Sequence, residues 1–237
     1  MRGWLITGTD TGVGKTVVAA ALARYCREQG YRVGVCKPVA TGVPEGAIGE
    51  DTRALLEAAN LPLTWALRVT PLAFPEPAAP TVAARLLNRS VDFEAVVSAV
   101  LWWRDHADWL VVEGIGGLLC PLTPGKTVAD LAVALKLPVV VVARTALGTL
   151  NHTLLTVEAA KRRHLNLVGI ILNEATKPTG SWAERTCEQE LQQWVDIPIL
   201  GRIPHSELPE RAARRVVPAI LAQTRSAEER NVRARQS

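Results

Sequence analysis

Short, almost wholly apolar runs alternate along the chain with longer stretches in which apolar residues recur every three or four positions. The runs are WLITG (4–8), RVGVCKP (32–38), DWLVVEG (108–114), LPVVVVAR (137–144), LNLVGIILNE (165–174) and IPILGRIP (197–204). Continuous Val/Ile/Leu runs of this length predict strands covered on both faces, as in a parallel sheet under helices. The stretches between them predict helices over 15–30, 51–61, 81–89, 93–107, 127–136, 149–163, 181–195 and 207–224. Gly30 closes the first of these as a helix C-terminal signal. Residues 62–80 break the rhythm with five prolines and predict mostly loop. Strand–helix repetition without an intervening linker predicts one α/β domain over residues 1–224: a single doubly wound, mainly parallel sheet with helices on both faces.

Composition adds little to this picture and removes several alternatives. A chain of 237 residues, 48% hydrophobic, suits one soluble domain. The net charge of +4 could suggest a nucleic-acid partner, but residues 211–237 hold seven arginines against two glutamates, leaving about −1 for the rest. The basic charge therefore belongs to one end, with residues 225–237 expected to be a solvated, disordered tail, and no nucleic-acid partner is implied. No run approaches a membrane span, and Met1-Arg2-Gly3-Trp4 leads straight into a strand, so no leader is expected. Cys26, Cys36, Cys120 and Cys187 form no C-x-x-C pair and have no histidine at metal spacing. They read as reduced thiols of a protein of the cytoplasm.

In doubly wound sheets ligands bind beyond the carboxyl ends of the strands. The first such end is GTDTGVGKT (8–16), which nearly spells the P-loop pattern G-x-x-x-x-G-K-[ST]. Its first glycine is Gly8, where the pattern asks for position 9, and Thr9 stands there instead. Gly12 can absorb the extra residue at positive φ. Gly12, Val13 and Gly14 then present backbone N–H groups at a helix start, an anion site suited to phosphate. Lys15 would reach the outer phosphates, and the Thr16 hydroxyl a magnesium ion.

Glu113 ends a buried strand, where a magnesium ligand facing such a loop belongs, and Gly116 and Gly117 after it allow close approach to a substrate. Asp51 opens a helix and, taken alone, reads first as its N-cap. Lys37 ends the second strand and is either a second cation near the phosphates or a snorkelling surface lysine. Thr41 and Gly42 lie in the same turn. Gly148, Thr149 and Asn151 begin a helix and could hold a carboxylate or simply cap it. Asn173 ends another strand with an amide able to read a base edge, a weak signal alone. The four histidines share no spacing and receive no catalytic role.

Taken together, GTDTGVGKT, KPVATG, VEGIGGLLCPL, LGTLNHTLLT and IILNE resemble the dethiobiotin synthetase family in order and spacing, from residue 4 to about 205. The resemblance implies a P-loop synthetase that makes dethiobiotin from 7,8-diaminopelargonate, CO2 and ATP through a carbamate and a carbamic–phosphoric anhydride. It implies Thr16, Asp51 and Glu113 as the Mg2+ set. Lys15 and Lys37 are implied as catalytic cations, and Thr11 and Thr41 as contacts to the carbamate or diamine. It further implies Gly148, Thr149 and Asn151 as the carboxylate segment offered across a homodimer, and Asn173 and Pro204 as adenine-side contacts. Members with an acidic residue in place of Gly12 brace the loop with it, so here bracing must come from elsewhere. Two alternatives stay open. A cobyrinate-type ATP-dependent amide synthase usually carries an added glutamine-hydrolysing domain, for which 237 residues leave no room. A non-enzymatic P-loop switch or partitioning ATPase commonly has a further lysine early in the loop, where this chain has Gly8-Thr9-Asp10-Thr11.

Overall fold

The computed structural model describes residues 2–206 and 208–234. Its centre is a sheet of six strands: β1 (Arg2–Gly8), β2 (Val33–Cys36), β3 (Trp109–Glu113), β4 (Val139–Arg144), β5 (Leu167–Asn173) and β6 (Ile199–Ile203). Their order across the sheet is β6-β5-β4-β1-β3-β2, and every pairing is parallel. All six coincide with the apolar runs; β1 begins two residues before its run, and the other five are shortened by one or two residues at the ends. The chain leaves β1 for β2, returns to insert β3 between them, and then crosses to the other side of β1. That reversal puts β1 and β3 at the switch point where such sheets bind ligands.

Seven longer helices cover the sheet: α1 (Lys15–Glu28), α2 (Glu50–Ala59), α3 (Phe93–Leu101), α4 (Val128–Leu135), α5 (Thr149–Arg162), α6 (Trp182–Trp194) and α7 (Val217–Ala234). Strand residues divide between the two faces with the period of two that a strand imposes. Val141, Ala143, Ile170 and Leu172 pack with Val157 of α5 and Cys187 and Leu191 of α6. Val140, Val142 and Ile171 join the larger core that contains Val18 and Leu22 of α1. Each fully buried Val or Leu side chain contributes roughly 1.5–3 kcal/mol, so strands apolar on both faces hold two helical layers at once. In α1 the run Ala19-Ala20-Ala21 is fully buried, and these small, strongly helix-forming residues bring its axis close to the sheet.

Two features differ from the sequence expectation. The proline-rich stretch 62–80 is more than loop: Leu72–Phe74 pairs in parallel with Val39–Thr41, anchored by the fully buried Phe74. This ribbon holds Thr41 beside the sheet, and its two strands are too short for periodicity to reveal them. The second difference is at the chain's end. Residues 225–234 continue α7 where a disordered tail was expected, and 235–237 lie outside the described residues. The stretch is rich in Ala, Arg and Glu, good helix formers whatever their charge.

The cysteines carry no disulfide: Cys26, Cys36 and Cys187 are buried and Cys120 half-buried. Burial pushes the Cys26 thiol up to about 12 and that of Cys36 higher still. No helix among the described residues is long and apolar enough to cross a membrane.

The N-terminal strand and the last helix are tied by one buried bond, Trp4 Nε1 donating to Thr224 Oγ1 at 2.8 Å. Thr224→Val keeps the shape and orphans the indole N–H, so it is expected to lower unfolding stability by about 1–3 kcal/mol. Chemical denaturation followed by tryptophan fluorescence measures this directly.

Candidate active site

The site forms where three adjacent strands end. β1 delivers the glycine loop, β3 delivers Glu113, and Lys37 follows β2. The register that pairs Ile6 with Glu113 and Cys36 with Val112 brings all three to one level. In the loop, Gly12 has φ +72° and Gly14 φ +96°, the left-handed region that favours glycine. The early glycine also has a steric cause: a Cβ at Gly8 would fall 2.7 Å from Val13 Cγ2. A tight turn opening onto a helix start is an anion cradle.

Below the loop lies a compact ionic cluster. The Thr16 hydroxyl is 2.8 Å from Asp51 Oδ1 and 2.9 Å from Glu113 Oε1. Lys37 Nζ donates to Glu113 Oε1 at 3.0 Å and also to Asp51 Oδ2. Glu113 is 1% exposed and Lys37 7%, so Lys37 is a buried cation and no surface lysine. Asp51 is no cap either. The N-cap of α2 is Gly49, and Asp51 sits in the first turn with its carboxylate turned to Lys37 and Thr16.

The charges answer one another. Burial opposes the Lys37 ammonium, but the Glu113 and Asp51 carboxylates outweigh it and hold its pKa above the usual lysine value. Burial likewise opposes the Asp51 carboxylate, yet Lys37 and the Thr16 hydroxyl keep its pKa below the ordinary range. Glu113 goes the other way: burial, with the Asp51 charge, lifts it despite Lys37. Burial, with the charge of Lys37, also lowers the Lys15 pKa against the pull of Glu113. Lys15 Nζ rests on the carbonyl of Asp10 at 2.9 Å.

Thr16 Oγ1, Asp51 and Glu113 make a set of hard oxygen donors of the kind Mg2+ takes, and Glu113 Oε2 is buried with no partner among the described residues. Mg2+ keeps waters and substrate oxygens for the rest of its shell. Among the described residues no group of three or more His, Cys, Asp or Glu could hold a metal ion.

The remaining predicted residues fall around this cluster at different distances from its chemistry. The Gly116–Gly117 turn packs on the loop: a Cβ at Gly116 would lie 3.8 Å from Thr11 Oγ1, and one at Gly117 3.4 Å from the Thr9 carbonyl. Thr11 is exposed at the loop's crest, and Thr41 half-buried on its ribbon. Thr149 is buried, and its hydroxyl is committed to the Arg144 carbonyl at 2.5 Å. Gly148, with φ +92°, and Asn151 are exposed at the start of α5. Pro204 follows β6.

Asn173 does something the sequence did not suggest: its side-chain amide donates to the Val13 carbonyl at 2.9 Å and holds the phosphate turn. A second brace is equally unexpected: Arg144 pairs with Asp10 at 3.0 Å. These two supply the bracing that Gly12 lacks. The available signal was positional, since Asn173 and Arg144 each end an apolar strand run just as Glu113 does.

Fold and loop together define a P-loop nucleotide-binding protein. The AAA domain family matches residues 2–213. The ATP-dependent dethiobiotin synthetase BioD of Bacillus licheniformis is 41% identical over 207 residues, 87% of each chain. The enzyme of the same name from Anaeromyxobacter sp. is 51% identical over 176 residues, 74% of this chain and 78% of that one. The chain belongs to the ATP-dependent dethiobiotin synthetase family. Solved structures sharing the fold include the cobyrinic acid a,c-diamide synthase of Mycobacterium smegmatis with bound ADP and magnesium (TM-score 0.54, 18% identity, 95% of this chain and 96% of that one). Another is a plasmid partition protein of Borrelia burgdorferi bound to AMPPNP (TM-score 0.56, 14% identity, 94% and 98%). At these identities the likeness is one of fold.

A Cβ at Gly14 would fall 2.1 Å from Asn173 Nδ2, on a backbone no alanine adopts easily. Gly14→Ala is therefore expected to push Asn173 off the loop. The protein should still fold but lose most of the rise in melting temperature that Mg-ATP gives the unsubstituted chain; a thermal shift assay reads both.

Proposed function

We propose that the chain catalyses the ATP- and Mg2+-dependent carboxylation and ring closure of 7,8-diaminopelargonate with CO2, giving dethiobiotin, ADP and phosphate for biotin biosynthesis. The observation that carries this reading is the cluster of buried Lys37 and Glu113 with half-buried Asp51 and Thr16 beside the glycine loop. It is found in a chain 41% identical over 207 residues to a dethiobiotin synthetase.

One amine of the diamine takes up CO2 as a carbamate. A carbamate oxygen attacks the γ-phosphorus, the bond from that phosphorus to ADP breaks, and a carbamic–phosphoric anhydride results. The second amine then attacks the anhydride carbon and phosphate leaves as the ring closes. Nothing in this sequence needs a protein nucleophile. It needs alignment of two substrates and neutralisation of charge that moves from carbamate to phosphate.

The residues divide those tasks. The N–H groups of Gly12, Val13 and Gly14 cradle the phosphates, and Lys15 exchanges the Asp10 carbonyl for a phosphate oxygen. Thr16, Asp51 and Glu113 hold Mg2+, which supplies charge neutralisation on the phosphates. Lys37, already charged in its buried pocket, faces the transferring group. Thr11, Thr41 and the Gly116–Gly117 turn border the carbamate and diamine. At the start of α5, the N–H groups around Gly148, Thr149 and Asn151 receive the substrate carboxylate across a homodimer boundary. The committed Thr149 hydroxyl leaves its role there to the backbone. Asn173, beyond its grip on Val13, and Pro204 flank the adenine. The enzyme works in the cytoplasm, where ATP and CO2 are at hand.

Phosphate release is expected only when ATP, Mg2+, bicarbonate and 7,8-diaminopelargonate are all present; release indifferent to the diamine would falsify the assignment. For Lys37→Gln, turnover should fall at least a hundredfold, in line with the loss of one preorganised charge contact, while Mg-ATP still raises the melting temperature. Near-normal turnover would remove Lys37 from the chemistry.

A further inference from the structure

Arg144 ends β4 level with the site, and beyond its pairing with Asp10 the proposed chemistry gives it no task. Its Nη2 donates to Asp10 Oδ2 at 3.0 Å and lies 3.4 Å from His152 Nδ1. Its carbonyl accepts the Thr149 hydroxyl at 2.5 Å. Asp10 is tied on its other side to the loop: Oδ1 accepts the Thr11 N–H at 2.8 Å, and the carbonyl accepts Lys15 Nζ at 2.9 Å. One arginine therefore joins the crest of the phosphate loop to the first turn of α5. A cleft of about 240 Å3 opens between these elements, walled by Thr9, Gly117 and Cys120 on one side and His152 and Leu155 on the other.

Two physical needs meet at Arg144. Asp10 is an acid in a loop built for phosphate, and like charges must be offset where they stand. The contact between Lys15 and Asp10 is also one that a phosphate competes for. When Lys15 turns to the nucleotide, Arg144 is the remaining charged tie on Asp10, and any shift of the loop reaches α5 through it.

We propose that Arg144 is a positioning residue that couples filling of the phosphate loop to the geometry of the first turn of α5, and so to binding of the second substrate. The proposal rests on the reading that the loop takes ATP and the turn takes the diamine's carboxylate. Coupling of this kind is reciprocal, so the diamine tightens nucleotide binding by the same factor. Both partners of the ion pair are substantially exposed, at 37% and 46%, and such pairs contribute little to global stability. Their loss should therefore appear in coupling and not in folding.

The test is calorimetric titration of 7,8-diaminopelargonate into the full chain with and without Mg-AMPPNP. In the unsubstituted protein the nucleotide analogue should tighten diamine binding by about fivefold or more, the lower end of ordinary couplings. Arg144→Met should bring that ratio to about one while the analogue alone binds within roughly threefold of normal. Asp10→Asn should do the same, and the double variant should lose nothing further, as members of one network do. A merely structural arginine would weaken both ligands together and leave the ratio intact. A ratio unchanged in both single variants overturns the proposal. If Arg144→Met does not fold, Asp10→Asn decides alone. If the unsubstituted protein binds the analogue but never the diamine, the synthetase reading falls and this proposal with it.

Discussion

A carboxylate at 1% exposure, ending the strand next to the centre of the sheet, is the constraint around which the rest is arranged. Taking such an ion out of water costs several kcal/mol, and it stays charged only where a cation and hydrogen-bond donors meet it. Glu113 finds both in Lys37 and Thr16. Each partner comes from the next strand or loop along, so the parallel order of β2, β3 and β1 does the assembling. The opposed shifts of Glu113 and Asp51 follow: the deeper carboxylate pays more for burial, the shallower one keeps the benefit of the lysine. The cluster holds a positive charge among two acids, close to the cradle where phosphate charge arrives.

Much of this was visible in the sequence, because burial on both faces forces continuous apolar runs and ligands gather where those runs stop. Glu113, Lys37 and the glycine loop all sit at such stops, and the structure brings them together. Asp51 was harder, because a carboxylate in a first helical turn satisfies the helix dipole whether or not it reaches a site. The loop braces were illegible for a different reason. Asn173 and Val13 are 160 residues apart, and Asp10 and Arg144 are 134 apart. No local pattern carries a contact of that range. The ribbon of Val39–Thr41 and Leu72–Phe74 escaped notice because three residues are too few to show a period, and the end of α7 because arginine-rich sequence reads as a solvated tail before it reads as helix.

The fold itself is shared with a cobyrinic acid a,c-diamide synthase and a plasmid partition protein, which says how little the fold decides about chemistry. What separates these proteins must lie in the residues that surround the phosphates. On the function proposed above, the residues that do so in this chain are Lys37, the Gly116–Gly117 turn and the start of α5, each following a different strand. The early residues of the loop fit the same logic: Asp10 meets Arg144, and Thr11 lies exposed beside the Gly116 turn.

The position of β1 has a consequence for how the molecule is made. It precedes the other five strands along the chain and lies inside the sheet, and its two neighbours begin at Trp109 and Val139. A chain emerging from the ribosome therefore carries this largely apolar strand for about a hundred residues before β3 can pair with one edge, and longer still before β4 can pair with the other. Long-range parallel pairing is slow, and an unpaired apolar edge is an invitation to association. Until β3 arrives, α1 with its buried alanine run follows that strand directly and can cover one of its faces, so the helix that begins at the glycine loop also serves as its first shelter.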